Sequence, residues 1–352
     1  MTLTDHLIKR IESNGPISIA DYMADCLLHP TLGYYTTRAP FGAKGDFITA
    51  PEISQMFGEL IGLCLAQTWI DQGQPARFSL AELGPGRGTL MADALRAAGK
   101  VPGFLDAAEI FLVEASDQLR TIQQTTLAGH TTYFLNHTTE LPDQPLFVVA
   151  NEFFDALPIR QFVKAKSGWH ERQIGVEAGA LVLGLGPDLP QPALSHRLAD
   201  TQAGDVVEYA PSAGPIIHDI STRIKHNGGA ALIIDYGDCR SLGDTLQAVQ
   251  NHETIEMLQA PGASDLTAHV DFEALATAAT TPYTRLTPQG VFLERLGITA
   301  RAQALALKLA GAAQEQHITA HQRLTHPAEM GNLFKVLGLF PDGATPPPGL
   351  DI

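Results

Sequence analysis

Cysteine is scarce. Cys26, Cys64 and Cys239 are the three in 352 residues, far apart and with no CxxC pair. That excludes a disulfide framework and a cysteine zinc site, and it fits a reducing compartment. Basic residues are also few: 23 Lys and Arg stand against 38 Asp and Glu, a formal charge of −15. A nucleic-acid binder carries a basic stripe, so no nucleic-acid partner is expected; a cationic substrate suits the chain better. No apolar run reaches the roughly 18 residues of a membrane span. The N-terminal MTLTDHLIKRIESNG lacks both a signal-peptide core and an Arg-rich, acid-poor presequence. Charged residues make up 17% and apolar residues 45%, so the chain can bury a large core, in two units or one large decorated domain.

Leu3, Leu7, Ile8 and Ile11 share one helical face, stopped by Asn14-Gly15-Pro16. Ser18 and Asp21 form a capping-box pattern ahead of a second helix. Residues 33–51, GYYTTRAPFGAKGDFITAP, hold too many turn formers for regular structure. Thr49 and Glu52 repeat the capping pattern and open a helix to about Ile70. From residue 77 strands alternate with helices. Strands are expected at 77–83, 109–116, 131–137, 146–152 and 228–237, with helices at 89–98, 117–128 and 212–226. That alternation implies a doubly wound, mostly parallel α/β sheet. Residues 161–186 alternate in short runs between glycine turns and read as an antiparallel insertion. Helices follow at about 271–279, 288–297 and 299–316, and PDGATPPPGLDI reads as a frayed tail.

The sharpest motif is Glu82-Leu83-Gly84-Pro85-Gly86-Arg87-Gly88-Thr89, at a strand end and a helix start. Glycines allow a tight turn and a close ligand approach. The spacing is GxGxG, neither the dinucleotide GxGxxG nor a P-loop. Glu82 would repel a pyrophosphate but can accept hydrogen bonds from an ammonium group. Glu114 closes the second strand, where an acid can take both hydroxyls of a ribose. An amine, a ribose and no phosphate beside the loop outline S-adenosylmethionine. The plain alternative is a tight turn with a solvated Glu114.

GYYTTRAPFGAKGDFITAPEISQMFGELIG, ELGPGRGTLMADALRA, NEFFDALPIRQF, IDYG, GDTLQAV, DLTAHVDF and MGNLFKV follow in order from about residue 5 to 340. Together they resemble the MidA family of S-adenosylmethionine-dependent methyltransferases of bacteria and mitochondria. The resemblance implies a class I Rossmann-like fold with S-adenosyl-L-methionine as cofactor. It assigns 1–75 to an N-terminal helical layer and lid, 76–340 to the methyltransferase domain with an insertion at about 160–210, and 341–352 to a flexible tail. It also implies a protein substrate. The mitochondrial member acts as a protein arginine methyltransferase on the 49-kDa subunit of respiratory complex I. Bacterial members would work in the cytoplasm and eukaryotic ones in the mitochondrial matrix; a homodimer is one option for the assembly.

The fourth strand runs into Asn151-Glu152-Phe153-Phe154-Asp155. Ligands lie beyond the carboxyl ends of strands in open α/β sheets, so this loop is expected to line the active site. Glu152 and Asp155 could grip a guanidinium and take its proton, as paired acids do in other arginine methyltransferases. The bland alternative makes Asp155 a turn cap and Glu152 solvated. Cofactor contacts are expected from Glu82, Gly84, Gly86, Gly88, Glu114 and Asn151. On family grounds, Asp46, Phe47 and Thr49 join them in a lid; otherwise that stretch is a structural loop with a helix cap. Asp235 either touches substrate or caps a helix, and His269 is either a base or a bystander beside a capping Asp271. His317 and His321 stand four apart, but no HExxH is present and a solvated helix face is favoured, so no metal is expected. Rival functions are methylation of another acceptor, a cofactor-binding assembly factor without turnover, and an NAD(P) oxidoreductase, which Glu82 disfavours.

Overall fold

The computed structural model describes residues 2–37 and 49–352. Two compact units emerge, each assembled from separated stretches: 1–40, 155–213 and 238–271 in one, and 41–154, 214–237 and 272–352 in the other. The linear division at residue 75 therefore does not coincide with the units.

The larger unit holds the parallel sheet. The strands of this sheet and the longer helices that precede or connect them up to β5 are, in chain order, α1 (Gln55–Asp71), β1 (Phe78–Leu83), α2 (Thr89–Ala98), β2 (Ala108–Val113), α3 (Asp117–Thr126), β3 (Thr132–Leu135), β4 (Leu146–Asn151), α4 (Ala213–Asn227), β5 (Gly229–Asp238), β6 (Thr287–Pro288) and β7 (Phe334–Leu339), with further helices before α1 and after β5. The order across the sheet is 3-2-1-4-5-7-6. Pairing is parallel from β3 to β5 and antiparallel where β7 meets β5 and β6. Every residue of β1 and β4 is buried, as strands covered on both faces require. The chain winds outward from β1 to β3, then reverses from β4 to β5, so the switch point lies between β1 and β4. A crevice for ligands opens there, beyond the carboxyl ends of the strands.

On one face, α1 packs against α2 with almost no room. A Cβ on Gly62 would stand 2.6 Å from the Ala94 Cα and carbonyl oxygen. Gly62→Ala must therefore push the two helices apart, and the expected cost is about 1–3 kcal/mol, read as an earlier urea midpoint.

Three expectations are corrected here. The helix thought to start at Glu52 is two: a short one over Ala50–Ile53, then α1 capped by Ser54, whose extended φ of −158° breaks the run. The helix expected at 299–316 splits into Ile298–Ala306 and Ala312–Thr325, with Gly311 at φ +57° between them. The tail is docked rather than frayed. Leu350 is buried, the Pro348 carbonyl accepts from the Cys64 thiol, Arg285 N–H donates to the Asp351 carbonyl, and Arg295 pairs with the Asp351 carboxylate.

The smaller unit packs two helices, Leu3–Asn14 and Ile19–Leu28, on an antiparallel sheet. Its longer strands are Arg160–Lys164, Trp169–Glu177, Ala180–Leu189 and Val206–Tyr209, the expected insertion. Ser18 and Asp21 form the expected capping box, and Thr2 with Asp5 forms another. The GDTL turn hangs on buried Glu208, which accepts from Gln161 and from the backbone N–H groups of Thr245 and Leu246. Among the described residues no helix is long and apolar enough to cross a membrane.

Candidate active site

The larger unit carries a cleft at its switch point. Thr49, Pro51, Glu52, Glu82, Gly84, Pro85, Gly86, Arg87, Thr89, Leu90, Asn151 and Glu152 line it. The enclosed space is narrow, about 40 Å³, and opens to solvent at its mouth. The backbone dictates this shape. After β1 the chain turns through Gly84, Gly86 and Gly88 at φ +59°, +52° and +80°, a left-handed region that side chains disfavour. A Cβ at Gly84 would also lie 2.9 Å from the Phe153 ring. Gly88 starts α2 without a side-chain cap of its own; in that first turn the Met91 N–H is answered by the Glu82 carboxyl.

Glu82, in β1, is only 3% exposed, and its Oε2 has no hydrogen-bond partner. Burial pushes its carboxyl well above the usual range; a backbone hydrogen bond from Met91 opposes this, and the charge of Glu114 adds to it. Across the cleft, Asn151 ends β4 with its Oδ1 buried and unpartnered, while its Nδ2 donates to Glu152 Oε1 at 3.1 Å. That oxygen also accepts from Ala50 N–H at 3.1 Å. Glu152 itself stands at φ +50°.

Glu52 is the acid that sequence reasoning misplaced. Instead of closing a capping box on Thr49, it accepts from the Thr89 hydroxyl at 2.6 Å and faces the glycine turn. Two cap-type residues five apart, Thr49 and Ser54, were the available signal that two helices start there.

Glu114 and Gly88 do not line the cleft. The Glu114 carboxylate accepts from Ser116 N–H at 2.8 Å and from Gln123 at 3.0 Å, and Gln123 also donates to the Gly86 carbonyl at 2.8 Å. Burial raises its pKa, against the hydrogen bonds of Ser116 and Gln123. Asp155 falls in the other unit, buried, with its carbonyl accepting from Ala268 N–H. Asp46 and Phe47 lie outside the described residues. His317 and His321 hydrogen-bond to the Ala302 carbonyl and the Thr299 hydroxyl. Asp235 is buried and accepts from the Phe154 N–H.

A glycine turn at a β1–β4 switch point, lined by three acids, Glu52, Glu82 and Glu152, against one basic residue, Arg87, defines a small-molecule site that favours a cationic ligand. Together with the comparisons below, it marks the chain as a methyltransferase using S-adenosylmethionine. Residues 60–290 match the family described as "Putative S-adenosyl-L-methionine-dependent methyltransferase", and the chain belongs to that family. It is 39% identical to the mouse protein arginine methyltransferase NDUFAF7, mitochondrial, over 96% of this chain and 84% of that one. The human counterpart is 38% identical, over 96% and 82%. Among solved structures, a COG1565 superfamily member from Burkholderia thailandensis bound to S-adenosyl-homocysteine matches with a TM-score of 0.83 and 30% identity, over 99% of this chain and 93% of that one. The resemblance to the MidA methyltransferases, the Rossmann-like fold and the cofactor class all agree with these findings.

Proposed function

We propose that this methyltransferase modifies a side-chain nitrogen of arginine on a partner protein, with the 49-kDa-type subunit of respiratory complex I as first candidate. The names of the mammalian relatives support the acceptor class. The observation that carries the reading is Glu152, set at the end of β4 in the cleft that the glycine turn lines.

The unpartnered Glu82 oxygen and the glycine turn fit the cofactor. Glu82 and Glu52 would take its ammonium group, and the N-terminus of α2 its carboxylate. Glu114 already accepts from Ser116, Ala115 and Gln123 and lies outside the cleft lining, so a ribose hydroxyl would have to reach its remaining lone pair. When bound, S-adenosylmethionine supplies a methyl group on a positively charged sulfur. The chain supplies position and a base. A guanidinium presents a fork of donors that a carboxylate engages in one orientation. Glu152 holds that fork, and its carboxylate accepts the proton that the acceptor nitrogen loses on gaining the methyl group. Work in the cytoplasm of a bacterium or in a mitochondrial matrix both fit.

Labelled methyl from S-adenosylmethionine, offered with purified 49-kDa-type subunit, is expected on arginine by mass spectrometry. Label on lysine or a small molecule overturns the acceptor.

The raised carboxyl of Glu82 adds a pH prediction. In the ligand-free protein it holds its proton to higher pH than an ordinary carboxyl, and a cationic ligand needs it ionised. Cofactor affinity should therefore rise with pH through that raised value, by up to about tenfold per unit, and binding below it should release a proton. Calorimetry in buffers of different ionisation enthalpy measures that release. Heats independent of buffer and pH would remove Glu82 from the ligand.

A further inference from the structure

The turn that carries Glu152 is held from the neighbouring strand. Asp235, near the end of β5, has no exposed surface. Its two carboxylate oxygens serve two different backbone groups: Oδ2 accepts from Phe154 N–H at 3.0 Å, and Oδ1 from Tyr236 N–H at 2.9 Å. One residue further along the same ladder, Glu152 N–H donates to the Ile234 carbonyl at 2.9 Å. Between these two anchors the backbone passes through Glu152 at φ +50°, a conformation that persists in a non-glycine residue only where the surroundings over-determine it.

We propose that Asp235 is a positioning residue for methyl transfer: its buried carboxylate clamps the Phe154 N–H and so keeps Glu152 facing the cleft. The inference rests on reading Glu152 as the group that meets the acceptor. Chemistry explains why aspartate stands there. Both oxygens accept from N–H groups, and an asparagine can answer only one of them, because its amide nitrogen would face the other donor. Asp235→Asn therefore keeps the side chain's size and breaks one anchor.

The test uses the full chain as wild type, Asp235→Asn, Glu152→Gln and the double variant. Deuterium exchange over residues 151–154 is expected to accelerate at least about tenfold in Asp235→Asn and to stay unchanged in Glu152→Gln. S-adenosylmethionine binding by calorimetry should stay within about threefold of wild type in Asp235→Asn, while single-turnover methyl transfer slows at least about tenfold. Adding Asp235→Asn to Glu152→Gln should slow transfer by less than about threefold more, because both changes disable the same carboxylate. Because asparagine can keep the Phe154 contact by turning its amide oxygen that way, Asp235→Ala, which leaves no acceptor, is read beside it, and unchanged exchange in both variants overturns the clamp, whatever Glu152 does. Fast exchange with a wild-type rate, or fully additive losses, overturns the positioning role. A wild-type rate in Glu152→Gln, with fast exchange in Asp235→Asn, instead overturns the reading of Glu152 and leaves the clamp standing. Should Asp235→Asn fail to fold, Asp235→Glu, which shifts both acceptors by one methylene, is read by the same measurements.

Discussion

Gly86→Val is expected to lose S-adenosylmethionine affinity by at least about a hundredfold, or about 2.7 kcal/mol, while the protein still melts cooperatively. Two effects combine. Gly86 lines the cleft, so any side chain there competes with the ligand for space. It also sits at φ +52°, where a β-branched residue is strained by about 1–2 kcal/mol. Strain alone would lower the melting temperature and leave affinity nearly untouched. Calorimetric titration beside a thermal melt separates the two, and wild-type affinity in a folded Gly86→Val protein would reject the loop as the cofactor site. Tight binding of NADH by the wild type would reopen the oxidoreductase alternative.

Glu152→Gln should slow methyl transfer at least about tenfold without weakening cofactor binding, since one charge-assisted contact in the transition state is worth about 1.4 kcal/mol or more. Glutamine keeps the shape and the same backbone conformation. Its amide oxygen can still accept from Ala50 N–H, so the fold around it should survive. What disappears is the charge that attracts the guanidinium fork and the site that receives its proton. Single-turnover assays on the 49-kDa-type subunit, read by mass spectrometry of its arginines, give the rate. Full activity in Glu152→Gln would reject the residue even if arginine proves to be the acceptor.

Local rules made part of this site readable in advance. β1 and β4 are continuous apolar runs because both faces are covered, and the positive-φ turn after β1 can be built only from residues such as its three glycines. The hairpins of the insertion announced themselves by alternation. What stayed hidden depends on distant partners. Glu52 has the spacing of a capping residue, and only the Thr89 hydroxyl, 37 residues on, draws it elsewhere. Asp235 became a clamp only when β5 paired with β4 in register. β7 lay unread in MGNLFKV because a short apolar run does not declare its partner strand. The tail looked free because proline and glycine usually mark loose chain, yet Cys64, Arg285 and Arg295 hold it down. The two units interleave three stretches each, and no composition shift marks those boundaries.

The placement of β7 also governs how the protein is made. It slots between β5 and β6, pairing Ala231 with Leu339 through to Tyr236 with Phe334, although it follows both strands in the chain. During synthesis β5, buried along nearly its whole length in the finished fold, must therefore wait with that flank uncovered until some hundred residues more have left the ribosome. An uncovered apolar flank of that kind is a template for pairing with other nascent chains. Shortened products ending before Phe334 should accumulate in the insoluble fraction.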